Sequence, residues 1–182
     1  KDLDAIRPST LSQRVKSTVT KYYDRNDKLL WEDKGDGDYT LVVDPKNIAP
    51  CMGKATVAIE DKDFYKHGGV SPTGILRALI SNSQGNAIQG GSTLTQQLVK
   101  QVFFPPDEAQ QRGLAGIPRK IKEMILAVEV ERMYSKDQIL GLYLNESPYG
   151  GRRNGVESAA QAYFHKPSKD LTLSECAFLA PI

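Results

Sequence analysis

Long hydrophobic runs are missing from this 182-residue chain. No stretch of about 18 apolar residues occurs, so nothing in it reads as a bilayer-spanning helix, and no signal-peptide pattern is visible. Cysteine and histidine are scarce, with two of each. Cys51 and Cys176 lie far apart and form no CxxC pair, so their spacing assigns them neither a disulfide nor a redox motif. With only His67 and His165 to join them, a zinc site is not expected. Charge of one sign is missing too. Lys and Arg number 24 against 22 Asp and Glu, a net charge of +2, which argues against a nucleic-acid partner. No internal repeat is present. What is there suits a globular fold: 40% hydrophobic residues, 25% charged, and enough chain for one domain with a real core. The chain begins at Lys1 and stops at Leu179-Ala180-Pro181-Ile182 within a helical pattern, and is read as a fragment of a longer protein.

Residues 1–18 are polar and read as a linker or short helix. In Val19–Glu32, VTKYYDRNDKLLWE, β-prone and aromatic residues flank the turn cluster Asp24-Arg25-Asn26-Asp27, which predicts a hairpin. Tyr39–Val43 predicts a second strand, stopped by Asp44-Pro45. From residue 46 the pattern turns helical. Ser71-Pro72 reads as an N-cap with proline at the first helical position, ahead of a stripe at Ile75, Leu76, Leu79 and Ile80. Ser92 is placed to cap a helix carrying Leu94, Leu98 and Val102. Ile121, Met124, Ile125 and Val128 make another apolar stripe. Ser135-x-x-Gln138 and Thr172-x-x-Glu175 are capping boxes. A helix through Val156, Ala159, Ala160, Tyr163 and Phe164 cannot continue past Pro167. The glycine-bearing stretch 84–91 and the irregular 103–118 read as loops. The expected fold is mainly α with a small N-terminal β element. We divide it into a linker and hairpin segment, 1–45, and a helical domain, 46–182.

Three stretches carry chemistry. In AIEDKDFYKHGG, residues 58–69, Glu60 follows an apolar lead-in and precedes Phe64 and Tyr65. Such a run is usually a solvated helix end. A partly buried carboxyl at Glu60 would instead serve as a proton acceptor. In GGSTLTQQLVK, residues 90–100, two glycines precede a helix start rich in hydroxyls and amides, with Lys100 on the same face as Gln97. Free N–H groups and the helix dipole there suit an oxygen-rich ligand, although a turn with an ample cap would read the same way. In Arg119–Glu131, RKIKEMILAVEVE, Arg119, Lys120 and Glu123 share a face. They read as surface ion pairs or as a cationic phosphate pocket beside a second carboxylate.

Together these stretches resemble the family 51 peptidoglycan glycosyltransferases, the glycan-polymerising domains of bifunctional penicillin-binding proteins and their monofunctional relatives. The motif E-D-x-x-F-x-x-H-x-G is present as Glu60, Asp61, Phe64, His67 and Gly69. G-G-S-T-x-T-Q-Q-L-x-K runs from Gly90 to Lys100, and R-K-x-x-E is Arg119, Lys120 and Glu123. I-L-x-x-Y-L-N spans Ile139 to Asn145, and a fifth motif lies in GVESAAQAYFHK, residues 155–166. The similarity covers about residues 20–182. Gln101 departs from the family's asparagine at that position.

The resemblance implies a lysozyme-like, two-lobed helical fold. A mobile lobe near 84–118 would touch the membrane through Leu98, Val99, Val102, Phe103 and Phe104, unless these pack in the core. It implies polymerisation of lipid II into β-1,4-linked glycan with inversion and release of undecaprenyl pyrophosphate, at the outer face of the cytoplasmic membrane. A transpeptidase domain elsewhere in the parent chain is a further implied partner. Glu60 is the implied base. Lys100, Arg119 and Lys120 would meet the pyrophosphate, and Ser92, Thr93 and Gln97 phosphate or sugar oxygens. Asp61, Phe64 and His67 are counted among the substrate-binding residues, Asp61 and His67 as groups that orient the first motif and do not react. Glu123, the second acid, would orient the cations or hold a Mg2+ or Mn2+ bridging the phosphates, with no cofactor strictly required. A whole sugar must fit between Glu60 and Glu123, so their carboxyls are expected about 9.5 Å apart or more. The alternatives are a lysozyme-like lytic enzyme and an inactive glycan- or lipid-binding homologue.

Overall fold

The structure is a computed structural model that describes residues 18–35, 38–74, 91–111 and 113–181. The stripe from Ile75 to Ile80 and most of the glycine loop 84–91 lie outside the described residues.

The hairpin forms as its residues dictate. Strands β1 (Thr20–Tyr23) and β2 (Leu29–Asp33) pair antiparallel. Between them the Asp24 carboxylate accepts the backbone N–H of Asn26 at 2.8 Å and of Lys28 at 2.9 Å. That side chain does the work of a turn hydrogen bond.

The second strand is shorter than its β-branched run suggests. Only β3 (Tyr39–Thr40) enters a ladder, parallel to β4 (Arg153–Asn154). Beyond Thr40 the chain finds side chains in place of a strand. The N–H of Leu41 donates to Ser158 Oγ at 2.8 Å and that of Val43 to Asn145 Oδ1 at 3.0 Å. Asn145 returns a bond from Nδ2 to the Val43 carbonyl at 3.0 Å. Buried backbone groups must be paired, and here two helices do it.

Among the described residues, the α-helices with both ends in view are α1 (Pro50–Glu60), α2 (Leu94–Phe103), α3 (Pro106–Ala109), α4 (Ile117–Met133), α5 (Lys136–Glu146), α6 (Val156–Phe164) and α7 (Leu173–Leu179). Both expected capping boxes are present, Ser135 with Gln138 and Thr172 with Glu175. At α2 the cap is Thr93, whose hydroxyl accepts from the N–H of Gln96, and not Ser92. Ser92 lies one residue too early to reach that N–H and serves the site described below.

The core gathers around α2, which packs on α4 and α5, with Phe64, Leu98, Val99, Val130, Ile139 and Tyr143 fully buried. The face of α4 that enters it is not the apolar stripe. Ile121 and Ile125 are 48% and 58% exposed, while Glu123, Ala127 and Val130 face inward. A carboxylate can occupy the buried face because two cations accompany it.

Leu98 and Val99 are core residues, and Val102, Phe103 and Phe104 pack half-buried against them. The expected membrane-facing patch on α2 therefore turns largely inward.

The two cysteines, unassigned by their spacing, form a disulfide that ties α1 to α7. It closes a loop of 125 residues. Constraining a loop that long in the unfolded chain is worth up to about 5 kcal/mol. Reduction is therefore expected to lower the thermal unfolding midpoint by several degrees, read in melts with and without reductant and with alkylation of both thiols confirmed by mass.

Candidate active site

Glu60 is the last residue of α1, and the chain turns sharply behind it. The Asp61 carboxylate organises that turn. Both its oxygens face His67 Nε2, at 3.0 and 2.9 Å, and Oδ2 also accepts the N–H of Leu94 at 3.0 Å. Leu94 opens α2, so the first motif satisfies an otherwise orphaned donor at the start of the second.

Gly69 completes the knot. Its φ is +85°, and a Cβ there would sit 2.7 Å from the backbone of Ala127 on α4. Only glycine allows the loop this close to the helix. The Gly69 carbonyl accepts the Thr93 hydroxyl at 2.6 Å. Two motifs distant in sequence thus meet at one residue, against the backbone of α4.

Beneath the knot runs a second set of contacts that sequence reading passed over. Lys136 Nζ, at the start of α5, donates to the His67 carbonyl at 2.6 Å and to Glu131 at 2.7 Å. It also stands 4.4 Å from the centre of the Phe64 ring. Glu131 accepts from the Thr95 hydroxyl as well. Phe64 is therefore a fully buried platform for a cation and not a surface on which a ligand rests. Its spacing from His67 was the available signal for the loop, but its partner is 72 residues away in sequence.

Glu60, Asp61, Lys62 and Asp63 line one wall of a cavity of about 390 Å³, with Ser71, Ser92 and Thr93 on the others. Ser92 links this cavity to the cationic group. Lys120 Nζ donates to Ser92 Oγ at 2.6 Å and to Glu123 Oε2 at 3.0 Å. Arg119 Nη1 bonds the other Glu123 oxygen, and Nη2 donates to the Gln111 carbonyl at 3.0 Å. Burial, then the charges of Arg119 and Lys100, lower Lys120 to about 8. Lys100 thus lies close enough to join the same electrostatic group.

Glu123 is 1% exposed and has both oxygens committed to cations. A divalent ion there would have to displace Arg119 or Lys120, so Glu123 as placed does not fit a metal ligand. Among the described residues no group of three or more His, Cys, Asp or Glu side chains is arranged to hold an ion.

Two further residues expected on substrate have other partners. Thr93 is buried, with its hydroxyl taken by Gly69 and Gln96. Gln97 donates from Nε2 to Glu60 Oε2 at 3.0 Å and accepts at Oε1 from the Tyr143 hydroxyl at 3.0 Å. In the fourth and fifth motifs, Asn145 and Glu157 serve the fold. Asn145 clamps the segment after β3, and Glu157 accepts the N–H of Ser168 at 2.8 Å.

The arrangement sets a carboxylate against one side of a cavity and brings cations to the other through Ser92. The sequence matches the family model described as Transglycosylase over residues 27–182. Over 134 residues it is 46% identical to penicillin-binding protein 1A of Escherichia coli, a match covering 73% of this chain and 15% of that protein. Over 166 residues it is 40% identical to penicillin-binding protein 1A of Clostridium botulinum, covering 85% of this chain and 19% of that one. The protein of the same name from Rickettsia prowazekii is 36% identical over 178 residues, covering 96% and 22%. The chain spans about a fifth of the length of the curated relatives it matches. A match of this extent, spanning every motif of the site, means that the chain belongs to the transglycosylase family.

Proposed function

We propose that the domain polymerises lipid II, a disaccharide-pentapeptide carried on undecaprenyl pyrophosphate, into β-1,4-linked glycan with inversion. The acceptor's 4-hydroxyl oxygen forms a bond to the donor's anomeric carbon as the bond from that carbon to phosphate oxygen breaks. The hydroxyl proton passes to Glu60, and the electron pair of the broken bond leaves with the pyrophosphate. Gln97 bonds Oε2 of Glu60, so Oε1 is the oxygen that takes the proton. Lys120, Arg119 and Lys100 meet the charge that develops on the leaving group, which is where preorganised cations lower a barrier most. Arg119 Nε is buried without a partner among the described residues, a further donor for a phosphate oxygen.

The observation that carries this reading is the shared cavity. Glu60 lines it together with Ser92, and Ser92 is hydrogen-bonded to Lys120. The surroundings of the reaction are proposed as well. A disulfide suits the oxidising, extracytoplasmic side of a membrane. Ile117, Ile121 and Ile125 form an exposed apolar ridge along α4 that suits a lipid surface. Among the described residues no helix is long and apolar enough to cross a membrane. The relatives' greater length leaves room for an anchor and a transpeptidase domain in the parent chain.

The test is incubation of the full-length protein in detergent with lipid II or with finished glycan, with and without moenomycin, the family's inhibitor. A ladder of longer glycans and free undecaprenyl pyrophosphate, suppressed by the inhibitor, is the expected result. Shortening of finished glycan with lipid II untouched would establish a lytic enzyme instead, and binding of lipid II without turnover an inactive homologue.

A further inference from the structure

Glu60 is held by an amide whose two ends are not equivalent. Gln97 offers N–H to Glu60 and C=O to the Tyr143 hydroxyl, each at 3.0 Å. Turned over, the amide would set its oxygen against the Glu60 carboxylate with no proton between them. An uncommitted glutamine samples both arrangements and others in which it leaves the carboxylate altogether.

What commits it is Tyr143, on α5, a fully buried side chain whose ring is part of the core that α2 and α5 share. Burial, opposed in part by a hydrogen bond from Ser147 and aided by the charge of Glu60, pushes the Tyr143 hydroxyl up to about 12. It therefore keeps its proton at any working pH and is always able to donate.

We infer that Tyr143 is a positioning residue that acts on the catalytic base through Gln97, fixing the amide so that Glu60 always receives a donor at Oε2 and presents Oε1 to the incoming hydroxyl. The inference rests on the proposed polymerase reading. Tyr143 touches no reacting atom, and in the sequence it reads only as an apolar-side residue of I-L-x-x-Y-L-N. The orientation matters because a base displaced by about 1 Å costs on the order of 100-fold in rate.

Other charged groups lie on or near the same cavity as Glu60. Asp61, Lys62 and Asp63 share its cavity wall, Lys100 extends from α2, and Arg119, Lys120 and Glu123 approach from α4 by way of Ser92. None of them bonds the Gln97 amide among the described residues, but Ser147 also stands beside the Tyr143 hydroxyl, so a change at Tyr143 is read through Gln97 only where Gln97→Met reproduces it.

The experiment uses the full-length protein with lipid II as substrate and the variants Tyr143→Phe, Gln97→Met and the pair. Tyr143→Phe keeps the ring in the core and removes only the hydroxyl. It is expected to lower kcat about 10- to 100-fold with KM within about twofold. A carboxylate without a steady donor holds its proton more tightly, so the acid limb of the pH–rate profile should move to higher pH. Gln97→Met is expected to reproduce the loss, and Tyr143→Phe added to it should cost less than about twofold more. Wild-type kcat and profile in Tyr143→Phe overturn the inference, as do losses that multiply in the double variant. If Tyr143→Phe does not fold, Gln97→Met decides alone, since a wild-type rate and profile there break the link through Gln97 on which the inference rests. A wild-type protein that polymerises nothing overturns the functional reading and this inference with it. A competent polymerase indifferent to Tyr143→Phe overturns this inference only.

Discussion

Glu60→Gln is expected to abolish glycan polymerisation, with a loss of at least about 100-fold in kcat, while the protein remains folded. A positioned base contributes about 100- to 10,000-fold, and an amide cannot accept the acceptor's proton at the same site. Little else changes. Glutamine has the same shape, and its carbonyl oxygen can still take the N–H that Gln97 now gives to Glu60 Oε2. Stability should hold or rise slightly. Glu60 closes α1, where the negative end of the helix dipole disfavours a carboxylate by about 0.3–1 kcal/mol. A catalytic group placed against its own helix is a local cost to the fold, so an activity loss without a stability loss is the signature of the role. The measurement is lipid II consumption beside a thermal melt of the same preparation. Retained polymerisation would remove Glu60 from the base role, and lost activity with a collapsed melting temperature would make its role structural.

Much of the fold was legible because its signals are local. The hairpin follows from Asp24 and its neighbours, and both capping boxes follow from residue pairs three apart. What was not legible depends on partners far along the chain. Tyr39–Val43 has strand composition, yet Ser158 and Asn145 take its N–H groups and end the strand after Thr40. The disulfide needs α1 and α7 brought side by side, which spacing cannot supply.

The same limit governs the site. Periodicity chose the face of α4 bearing Ile121 and Ile125, and the buried face bears Glu123, Ala127 and Val130. Both faces fit a helical period. What decides between them is that Arg119 and Lys120 neutralise Glu123, an electrostatic fact invisible to a hydrophobicity count. Glu60, Ser92 and Lys120 were each recognisable by motif; Glu60 and Ser92 line one cavity, and Lys120 bonds Ser92. Thr93 and Gln97 were recognisable too, but their partners are Gly69, Glu60 and Tyr143, so part of the motif serves the machinery that holds the base.

Lys120→Met carries the second large effect. Removing one preorganised charge from a developing oxyanion costs about 100- to 1,000-fold in rate, and a loss of that order in kcat/KM is expected here. Stability should not fall with it. Glu123 keeps Arg119, and the ammonium removed is one whose pKa stands at about 8 instead of the usual 10.5 because of burial first and the Arg119 and Lys100 charges next. A lowered lysine binds its proton less well in the folded than in the unfolded chain, so its charge opposes folding below about pH 8. That opposition fades as pH rises from there towards 10.5. Pyrophosphate reverses the sign. Its negative charge favours the protonated lysine, so binding is strongest below pH 8, weakens as pH rises through it, and draws a proton from solvent near that pH. Calorimetry of the full-length protein with a short-chain prenyl pyrophosphate, in two buffers of different ionisation enthalpy, reads that proton directly. Uptake near pH 8 that disappears in Lys120→Met identifies the lysine as the group facing the leaving phosphate. The same uptake in wild type and variant assigns it elsewhere, leaving Arg119 and Lys100 to carry the pocket. Because Glu123 is bonded to both Arg119 and Lys120, Glu123→Gln should retain more activity than Lys120→Met: it loosens the cations without removing either charge.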